Sequence, residues 1–172
     1  MAKKVQIFNN FLDQEVFLEI KKFIMSPRCQ WRYVNYIAHK DGRDNDNDGY
    51  FVHSFKDCHP QTFEDRYPES PHFPLIAKIL DKIQYQNILR IRSSLYPRRD
   101  VQKPDPFHVD YNFPHRVCIF YVNTNNGYTM FENGEKIPSV ENQLATFDGS
   151  EKHCSVVQTD TSARYIVNIN IL

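Results

Sequence analysis

The half of the chain that follows Asn87 is divided into short apolar segments by turn residues, and this pattern restricts the possible folds most. The predicted strands cover 88–96, 117–122, 128–131, 144–147, 155–158 and 164–171. Asn126-Gly127 and Asn133-Gly134 predict hairpin turns. The segment 117–122 is too apolar for an exposed sheet edge. Short strands at such close spacing indicate a β-sandwich or an open barrel.

The first half of the chain predicts two helices and a pair of strands. Apolar residues recur at helical spacing within 10–25 and again within 75–83, and Ser26-Pro27 ends the first helix. Strands at 31–38 and 50–55 flank a polar loop. Because the two helices can cover one face of the strands, we expect a single α+β, mainly β domain over 1–172.

Charge and cysteine content exclude several classes of protein. The 172 residues include 21 Lys or Arg and 21 Asp or Glu, which argues against a general nucleic-acid coat protein or a polybasic membrane binder. The four cysteines form no C-x-x-C pair, so neither a cysteine zinc site nor a disulfide framework is expected. The first residues fit no signal peptide, and no run is long enough to span a membrane. We therefore expect a cytoplasmic protein with no membrane partner.

The polar loop 41–49 partly matches a calcium site. Asp44, Asp46, Asp48 and Gly49 occupy positions 1, 3, 5 and 6 of an EF-hand loop. Position 12 should be a chelating carboxylate, but Phe55 stands there, and strand residues follow where a helix is required. We therefore interpret the loop as a solvated turn or as a mobile lid over a site.

A stronger candidate site begins at His108-Val109-Asp110. In a β pattern, residues i and i+2 point to the same side, so this imidazole and this carboxylate would lie next to each other. His153 follows farther along the chain. Two histidines and one carboxylate can hold Fe(II) on one face and leave its other positions open. Since the chain has seven histidines, the pattern alone is not specific.

Arg164 begins a strand with two different faces. One face carries the apolar side chains Tyr165, Val167, Ile169 and Ile171. The other face carries Arg164, Ile166, Asn168 and Asn170. In so small a β fold both faces cannot be exposed, so the arginine side is predicted to meet a polar interior. A buried guanidinium needs a carboxylate, supplied by an internal acidic residue or by a ligand, unless it lies at an exposed strand end.

Several short motifs occur in the order found in the 2-oxoglutarate/Fe(II)-dependent oxygenases, and the chain resembles that family over 89–172, more loosely before. They are Leu95-Tyr96-Pro97, His108-Val109-Asp110, Arg116-Val117-Cys118-Ile119-Phe120-Tyr121-Val122-Asn123, Gly127-Tyr128-Thr129-Met130-Phe131, Ile137-Pro138, Leu144-Ala145-Thr146-Phe147, His153 and Arg164. The resemblance is to the prolyl-4-hydroxylase-like branch, which includes hypoxia-inducible-factor prolyl hydroxylases, and to small phage-encoded members.

The resemblance implies a double-stranded β-helix, or jelly-roll, with the helices packed on one face. The implied iron ligands are His108, Asp110 and His153. Arg164, Tyr121 and Tyr96 would bind the distal carboxylate of 2-oxoglutarate. The cofactors would be Fe(II), 2-oxoglutarate and O₂, with ascorbate in support, and the products would include succinate and CO₂. Loop 41–49 would correspond to a mobile loop that covers the substrate.

The sequence departs from the family pattern at two places. Gly127-Tyr128 replaces the usual Gly-Gly, which would narrow the pocket or reshape the hairpin. Asn168 and Asn170 stand where the branches vary, so the substrate does not carry over from the resemblance. His115 is expected on the surface or in a supporting role.

Several substrates and functions stay open at this level. A peptidyl proline is the first expected substrate, so the expected partner is a protein or peptide. The enzyme is expected to be a monomer and, if it is phage-encoded, to act in the host cytoplasm. A nucleic acid is the second, because Arg90, Arg92, Arg98 and Arg99 form a basic cluster that could equally be solvated. A small metabolite or free amino acid is the third. A non-catalytic metal-binding or interaction jelly-roll is also open, whereas a cupin would carry H-x-H and a following Glu.

Overall fold

The computed structural model describes residues 5–35 and 49–172, and these form two helices and ten strands. The helices are α1 (Gln14–Ile24) and α2 (Phe73–Leu80). The strands are β1 (Gln6–Phe8), β2 (Arg32–Val34), β3 (Tyr50–Asp57), β4 (Ile88–Pro97), β5 (Arg116–Tyr121), β6 (Asn125–Phe131), β7 (Lys136–Ser139), β8 (Gln143–Asp148), β9 (His153–Val156) and β10 (Ala163–Ile171). Neither helix has the length and hydrophobicity needed to cross a membrane within these ranges.

The strands form two antiparallel sheets that share an apolar core, which confirms the predicted jelly-roll. The large sheet has the order β1-β8-β5-β10-β4-β3-β2, and the small sheet has the order β7-β6-β9. Val117, Ile119 and Phe147 of the large sheet belong to one buried cluster with Phe131 and Ile137 of the small sheet. Each side chain of this cluster removes apolar area from water, which stabilises the pairing of the two sheets.

The two helices pack on the other face of the large sheet, as predicted. Phe17 and Ile20 of α1, together with Ile76 and Ile79 of α2, are buried against this face. Phe120 is fully buried beneath α1, and its ring centroid lies 6.2 Å from that of Phe17. The i, i+3 spacing of these positions is what a helix needs to bury a single stripe.

Strand β10 lies between β4 and β5 and separates the two cores. Val167 and Ile169 point to the helix side, where they join the helix-covered cluster. Ile166 and Asn168 point to the other side, where they line a cavity. Arg164 is on this second face and is completely buried. The two faces predicted for this strand are therefore confirmed, and so is the central position of β5, which pairs with β8 and β10.

Three local predictions are wrong. Asn126-Gly127 is not a hairpin turn but lies within β6, where the Asn125 side chain accepts the Gly127 N–H at 3.0 Å and the register shifts. The strand predicted at 155–158 starts earlier, at His153, because His153 pairs with Phe131 of β6. His108 does not open a regular strand and makes only an isolated bridge.

Of the other local predictions, one is confirmed, and the rest lie wholly or partly outside the described residues. The turn at Asn133-Gly134 is confirmed, since Gly134 has a φ of 87°, which favours glycine. Of the strand predicted at 31–38, the described part is Arg32–Val34. The interpretations of loop 41–49, as a solvated turn, a lid or a calcium site, concern residues outside the described ranges except for Gly49.

Candidate metal centre and its cavity

A cavity of about 650 Å³ opens between the two sheets. Its walls come from the β2–β3 hairpin, from the cavity side of β4 and β10, from β9 and from the segment 108–112. Both polar and aromatic side chains line it, including Arg92, Tyr96 and Thr129. Four of the six predicted site residues line this cavity, namely His108, Asp110, His153 and Tyr96.

The structure brings His108, Asp110 and His153 together at the cavity wall. The backbones of His108 and His153 exchange two hydrogen bonds, each with an N···O distance of 3.0 Å. Their ring centroids are 4.8 Å apart. One potential ligand atom from each of the three residues lies within 4.8 Å of the others. Two nitrogen donors and one oxygen donor therefore lie close enough together to be candidate ligands of one cation.

Both histidines are held in the same tautomer. The Nδ1 of His108 lies 3.2 Å from the carbonyl oxygen of Pro106, and the Nδ1 of His153 lies 3.1 Å from that of Glu151. A carbonyl only accepts, so each Nδ1 carries the hydrogen and each Nε2 keeps its lone pair. Burial, aided by the nearby His153, lowers the pKa of His108 to about 4. The His108 imidazole is therefore neutral near pH 7, as a metal ligand must be.

Three side chains hold the Asp110 carboxylate. Arg90 Nη2 donates to its Oδ1 at 3.0 Å, and Asn170 Nδ2 and Asn168 Nδ2 donate to its Oδ2 at 2.7 and 3.3 Å. Burial opposes ionisation, but the charges of nearby groups, Arg90 and Arg92 among them, outweigh it and hold the pKa of Asp110 well below its usual range. Oδ2 accepts both amide hydrogen bonds, but Oδ1 accepts one bond and keeps a lone pair, so a metal can still bind there.

Arg164 is fully buried behind side chains that line the cavity. Its Nε donates to Ser139 Oγ at 2.7 Å, one terminal nitrogen donates to Ser155 Oγ, and the other donates to Thr129 Oγ1 at 3.3 Å. Thr129 and Ser155 both line the cavity. Among residues 5–35 and 49–172, no carboxylate pairs with this guanidinium. Its charge is therefore surrounded by neutral hydroxyls, which do not compensate it.

Two tyrosines flank Arg164. Its guanidinium carbon lies 5.5 Å from the ring centroid of Tyr96 and 5.7 Å from that of Tyr121. The Tyr121 hydroxyl is 2.9 Å from Thr129 Oγ1. Burial raises the pKa of Tyr96 to about 12 and raises that of Tyr121. Both phenols therefore keep their hydrogens and can donate them to an anion.

Gly127 allows Arg164 to sit where it does. A Cβ at Gly127 would lie 2.9 Å from Arg164 Cδ and 2.9 Å from the Val156 carbonyl oxygen. Tyr128, the departure from the family pattern, belongs to the opposite face of β6, and Lys136 Nζ lies 4.7 Å from its ring centroid. Tyr128 is not part of the cavity lining, so it does not narrow the pocket.

The predicted basic cluster is divided between two places. Arg90 and Arg92 face the cavity, whereas Arg98 is exposed beyond β4, and Arg99 binds Asp105 at 2.7 Å. His115 is buried, not on the surface, and its Nδ1 lies 2.8 Å from the Phe113 carbonyl oxygen.

The partners of Asp110 were not found by sequence reasoning. Strand alternation places Asn168 and Asn170 on the Arg164 face, which indicates that they point into the polar interior. It does not show which carboxylate they contact. Asn170 and Asp110 are 60 positions apart in the sequence. Their meeting depends on the path of the segment 108–112, which the sequence pattern does not define.

The sequence matches no protein-family model and no curated protein sequence. Comparison with solved structures gives clear matches at low identity. A 2OG-Fe(II) oxygenase family protein from Burkholderia pseudomallei has a TM-score of 0.66 at 10% identity, with 97% of this chain and 85% of that chain covered. A Trichoplax adhaerens prolyl hydroxylase in complex with a hypoxia-inducible-factor peptide has a TM-score of 0.63 at 14% identity, covering 99% and 84%.

A viral protein is also similar. The collagen prolyl hydroxylase of Paramecium bursaria Chlorella virus 1, in complex with 2-oxoglutarate, has a TM-score of 0.56 at 13% identity, covering 99% of this chain and 98% of that chain. At such identities the likeness concerns the fold. The chain therefore has the jelly-roll fold of the 2-oxoglutarate/Fe(II) oxygenases and prolyl hydroxylases, as its sequence motifs predicted.

Proposed function

We propose that the protein is a non-haem Fe(II)- and 2-oxoglutarate-dependent dioxygenase that hydroxylates peptidyl proline. One observation carries the proposal: a His-Asp-His cluster lines a cavity, and a buried arginine with no acidic partner among the described residues donates to Thr129 and Ser155, which line the same cavity. The cluster suits a divalent metal, and the arginine suits an anion. A co-substrate that chelates a metal at one end and carries a carboxylate at the other end requires both.

His108, Asp110 and His153 would hold the iron. Their two Nε2 lone pairs and one carboxylate form the facial donor set that suits Fe(II), and this set leaves coordination positions open. The hydrogen bonds that the ring Nδ1–H groups donate to the Pro106 and Glu151 carbonyls orient the rings before any metal arrives. Arg90 and Asn170 do the same for the carboxylate.

Arg164 would hold the distal carboxylate of 2-oxoglutarate. A guanidinium has five N–H groups, and three of its nitrogens here donate to Ser139, Ser155 and Thr129, so N–H groups are left for a carboxylate. Tyr96 and Tyr121 lie on either side and can each donate a hydroxyl hydrogen. A carboxylate in this position would supply the charge that the buried guanidinium lacks.

The bound pair supplies oxidative decarboxylation by O₂, which gives succinate and CO₂ and places one oxygen atom in a C–H bond of the substrate. The protein contributes by positioning the metal ligands and the co-substrate. It would hold the ligand side chains in one tautomer and anchor the distal carboxylate of the co-substrate at Arg164, while the keto acid end stays free to bind the metal. Ascorbate would support activity by keeping the iron ferrous.

A peptide substrate is supported by the solved relatives and by the cavity. Two of the similar structures are prolyl hydroxylases, one of them with a peptide bound. Strands β2 and β3 border the cavity with the exposed Arg32 and with Val34, Tyr50 and Val52, and a peptide would enter on this side. The nucleic-acid alternative loses its main support, because the predicted arginine cluster does not form a continuous surface.

Substrate-dependent succinate formation tests the proposal. The protein is incubated with Fe(II), 2-oxoglutarate and a library of prolyl peptides, and gain of one oxygen atom is scored by mass spectrometry. We expect His108→Ala and Asp110→Ala to abolish both signals. His59→Ala, a change of an exposed histidine, is the matched control and should leave them unchanged. Full turnover in the His108→Ala variant would refute the metal site, and no oxidised peptide with the unaltered protein would refute the prolyl substrate.

A further inference from the structure

The cavity carries more positive charge than its proposed contents need. Arg32, Arg90 and Arg92 line it, and Asp110 is the one acidic residue in the described lining. Arg90 already binds Asp110 at 3.0 Å. On the cavity side of β4, Arg90 and Arg92 occupy alternate positions, so their side chains enter the same space.

Binding of iron and 2-oxoglutarate does not remove this excess. The two positive charges of Fe(II) and the one of Arg164 are matched by Asp110 and by the two carboxylates of the co-substrate. With Asp110 counted against the metal, Arg32, Arg90 and Arg92 remain without a counter-charge of their own in the described lining, although Arg90 stays hydrogen-bonded to Asp110. A charged group that lines a partly enclosed cavity is costly without a partner, because it has lost part of its hydration.

Arg92 has no partner in the described parts of the chain. None of its nitrogens makes a hydrogen bond or an ion pair there, and its Nε is enclosed with no partner at all. By contrast, the neighbouring arginines Arg90 and Arg99 both bind carboxylates. Within the described residues, Arg92 is therefore a cation that faces the cavity and has no hydrogen-bond or ion-pair partner.

Arg92 lies beside the metal cluster. In the β4–β10 ladder it pairs with Asn168, whose side chain donates to Asp110. Its charge contributes to the lowered pKa of both His108 and Asp110, which also indicates proximity. A substrate atom held over the metal would thus have the Arg92 guanidinium next to it. Arg32 is exposed at the rim of the same cavity.

We infer that the substrate bears a carboxylate close to the carbon that is hydroxylated, and that Arg92 binds this carboxylate with Arg32 assisting at the rim. This inference rests on the proposed function and specifies its substrate. The carboxylate belongs to an acidic residue beside the target, to a target residue at the C-terminus of a peptide, or to a free amino acid. A planar guanidinium can bind it through two parallel hydrogen bonds.

Calorimetric titration tests the inference on protein loaded with Mn(II), which prevents turnover, and 2-oxoglutarate. Three matched pairs of probes distinguish the sources of the carboxylate. They are a capped peptide with Pro-Asp against Pro-Asn, acetyl-Ala-Ala-Pro as acid against amide, and proline against prolinamide. For the pair that corresponds to the substrate, the acid should bind about tenfold to a hundredfold more tightly. A single-stranded oligonucleotide is titrated in the same way, because a nucleic acid is the competing class of substrate.

Arg92→Gln should remove this preference, and Arg32→Gln should reduce it. Arg98→Gln, a change of an exposed arginine outside the cavity, should leave it intact. Because Arg32 is exposed, its variant tests the inference even if Arg92→Gln folds poorly. Equal binding of acid and amide in all pairs, a preference that survives Arg92→Gln in the folded protein, or binding of the oligonucleotide alone overturns the inference. Failure to take up Mn(II) and 2-oxoglutarate overturns the proposed function as well.

Discussion

Replacement of Arg164 by Met should weaken 2-oxoglutarate binding without a general effect on the site. Arg164 is completely buried, so no water competes for its N–H groups. Removing one member of a buried ion pair costs about 3–5 kcal/mol, and each 1.4 kcal/mol is about tenfold in affinity. We therefore expect the dissociation constant of 2-oxoglutarate to rise by about a hundredfold or more.

A second ligand separates this effect from loss of structure. 2-Oxobutyrate has the same metal-chelating keto acid but lacks the distal carboxylate. Calorimetry on the Mn(II)-loaded protein should show a strong preference for 2-oxoglutarate, and the Arg164→Met variant should bind both ligands with similar affinity. Arg164→Lys keeps the charge but cannot serve three hydroxyls and a carboxylate together, so its affinity should be intermediate. An equal loss for both ligands, or an unchanged preference, would refute the reasoning.

Three further changes test other parts of the site. Gly127→Ala should weaken 2-oxoglutarate binding in titrations, because the new Cβ lies 2.9 Å from Arg164 Cδ. Asn170→Ala should lower metal affinity about tenfold to a hundredfold in Mn(II) titrations, because it removes the 2.7 Å hydrogen bond to Asp110. The metal-free protein should lose about 3 kcal/mol of stability as pH falls from about 6.5 to about 4. In this range His108 binds a proton in the unfolded state but not in the folded state, where its pKa is about 4. Urea unfolding at each pH measures the loss of stability.

Each of these expectations has a control. Asn168→Ala removes a longer hydrogen bond, 3.3 Å, and should affect metal binding less than Asn170→Ala does. An effect of the reverse order would contradict the account of the Asp110 partners. His108→Gln should flatten the stability profile between pH 4 and 6.5, and parallel profiles would contradict it. Unchanged 2-oxoglutarate affinity in a folded Gly127→Ala variant would contradict the close approach to Arg164.

The sequence was informative where local patterns decide the structure. The alternation after Arg164 predicted the two faces of β10, and the apolar run at 117–122 predicted a central strand. Both features depend on which side chains can be buried, and burial is a strong local constraint. The family motifs added the ordering of His108, Asp110 and His153, which the structure brings to one cavity wall.

The remaining features depend on contacts between distant segments. Asn126-Gly127 has the composition of a hairpin turn, but pairing of β6 with β7 and β9 absorbs it into a strand. The role of Arg90 was missed because a basic cluster in the sequence does not show which member binds Asp110. Nor does it show that Arg92 has no partner in 5–35 and 49–172. Such outcomes are set by sheet register and by the path of 108–112, which no local pattern fixes.

The central claim is that Fe(II) and 2-oxoglutarate bind together at the cavity wall. Anaerobic titration with both should produce the weak visible charge-transfer band that arises when the keto acid chelates the ferrous ion. The band should require both components, disappear in a His153→Ala variant and persist in the His59→Ala control. Absence of the band in unaltered protein that has bound both components would contradict the account, because the co-substrate would then lie away from the metal.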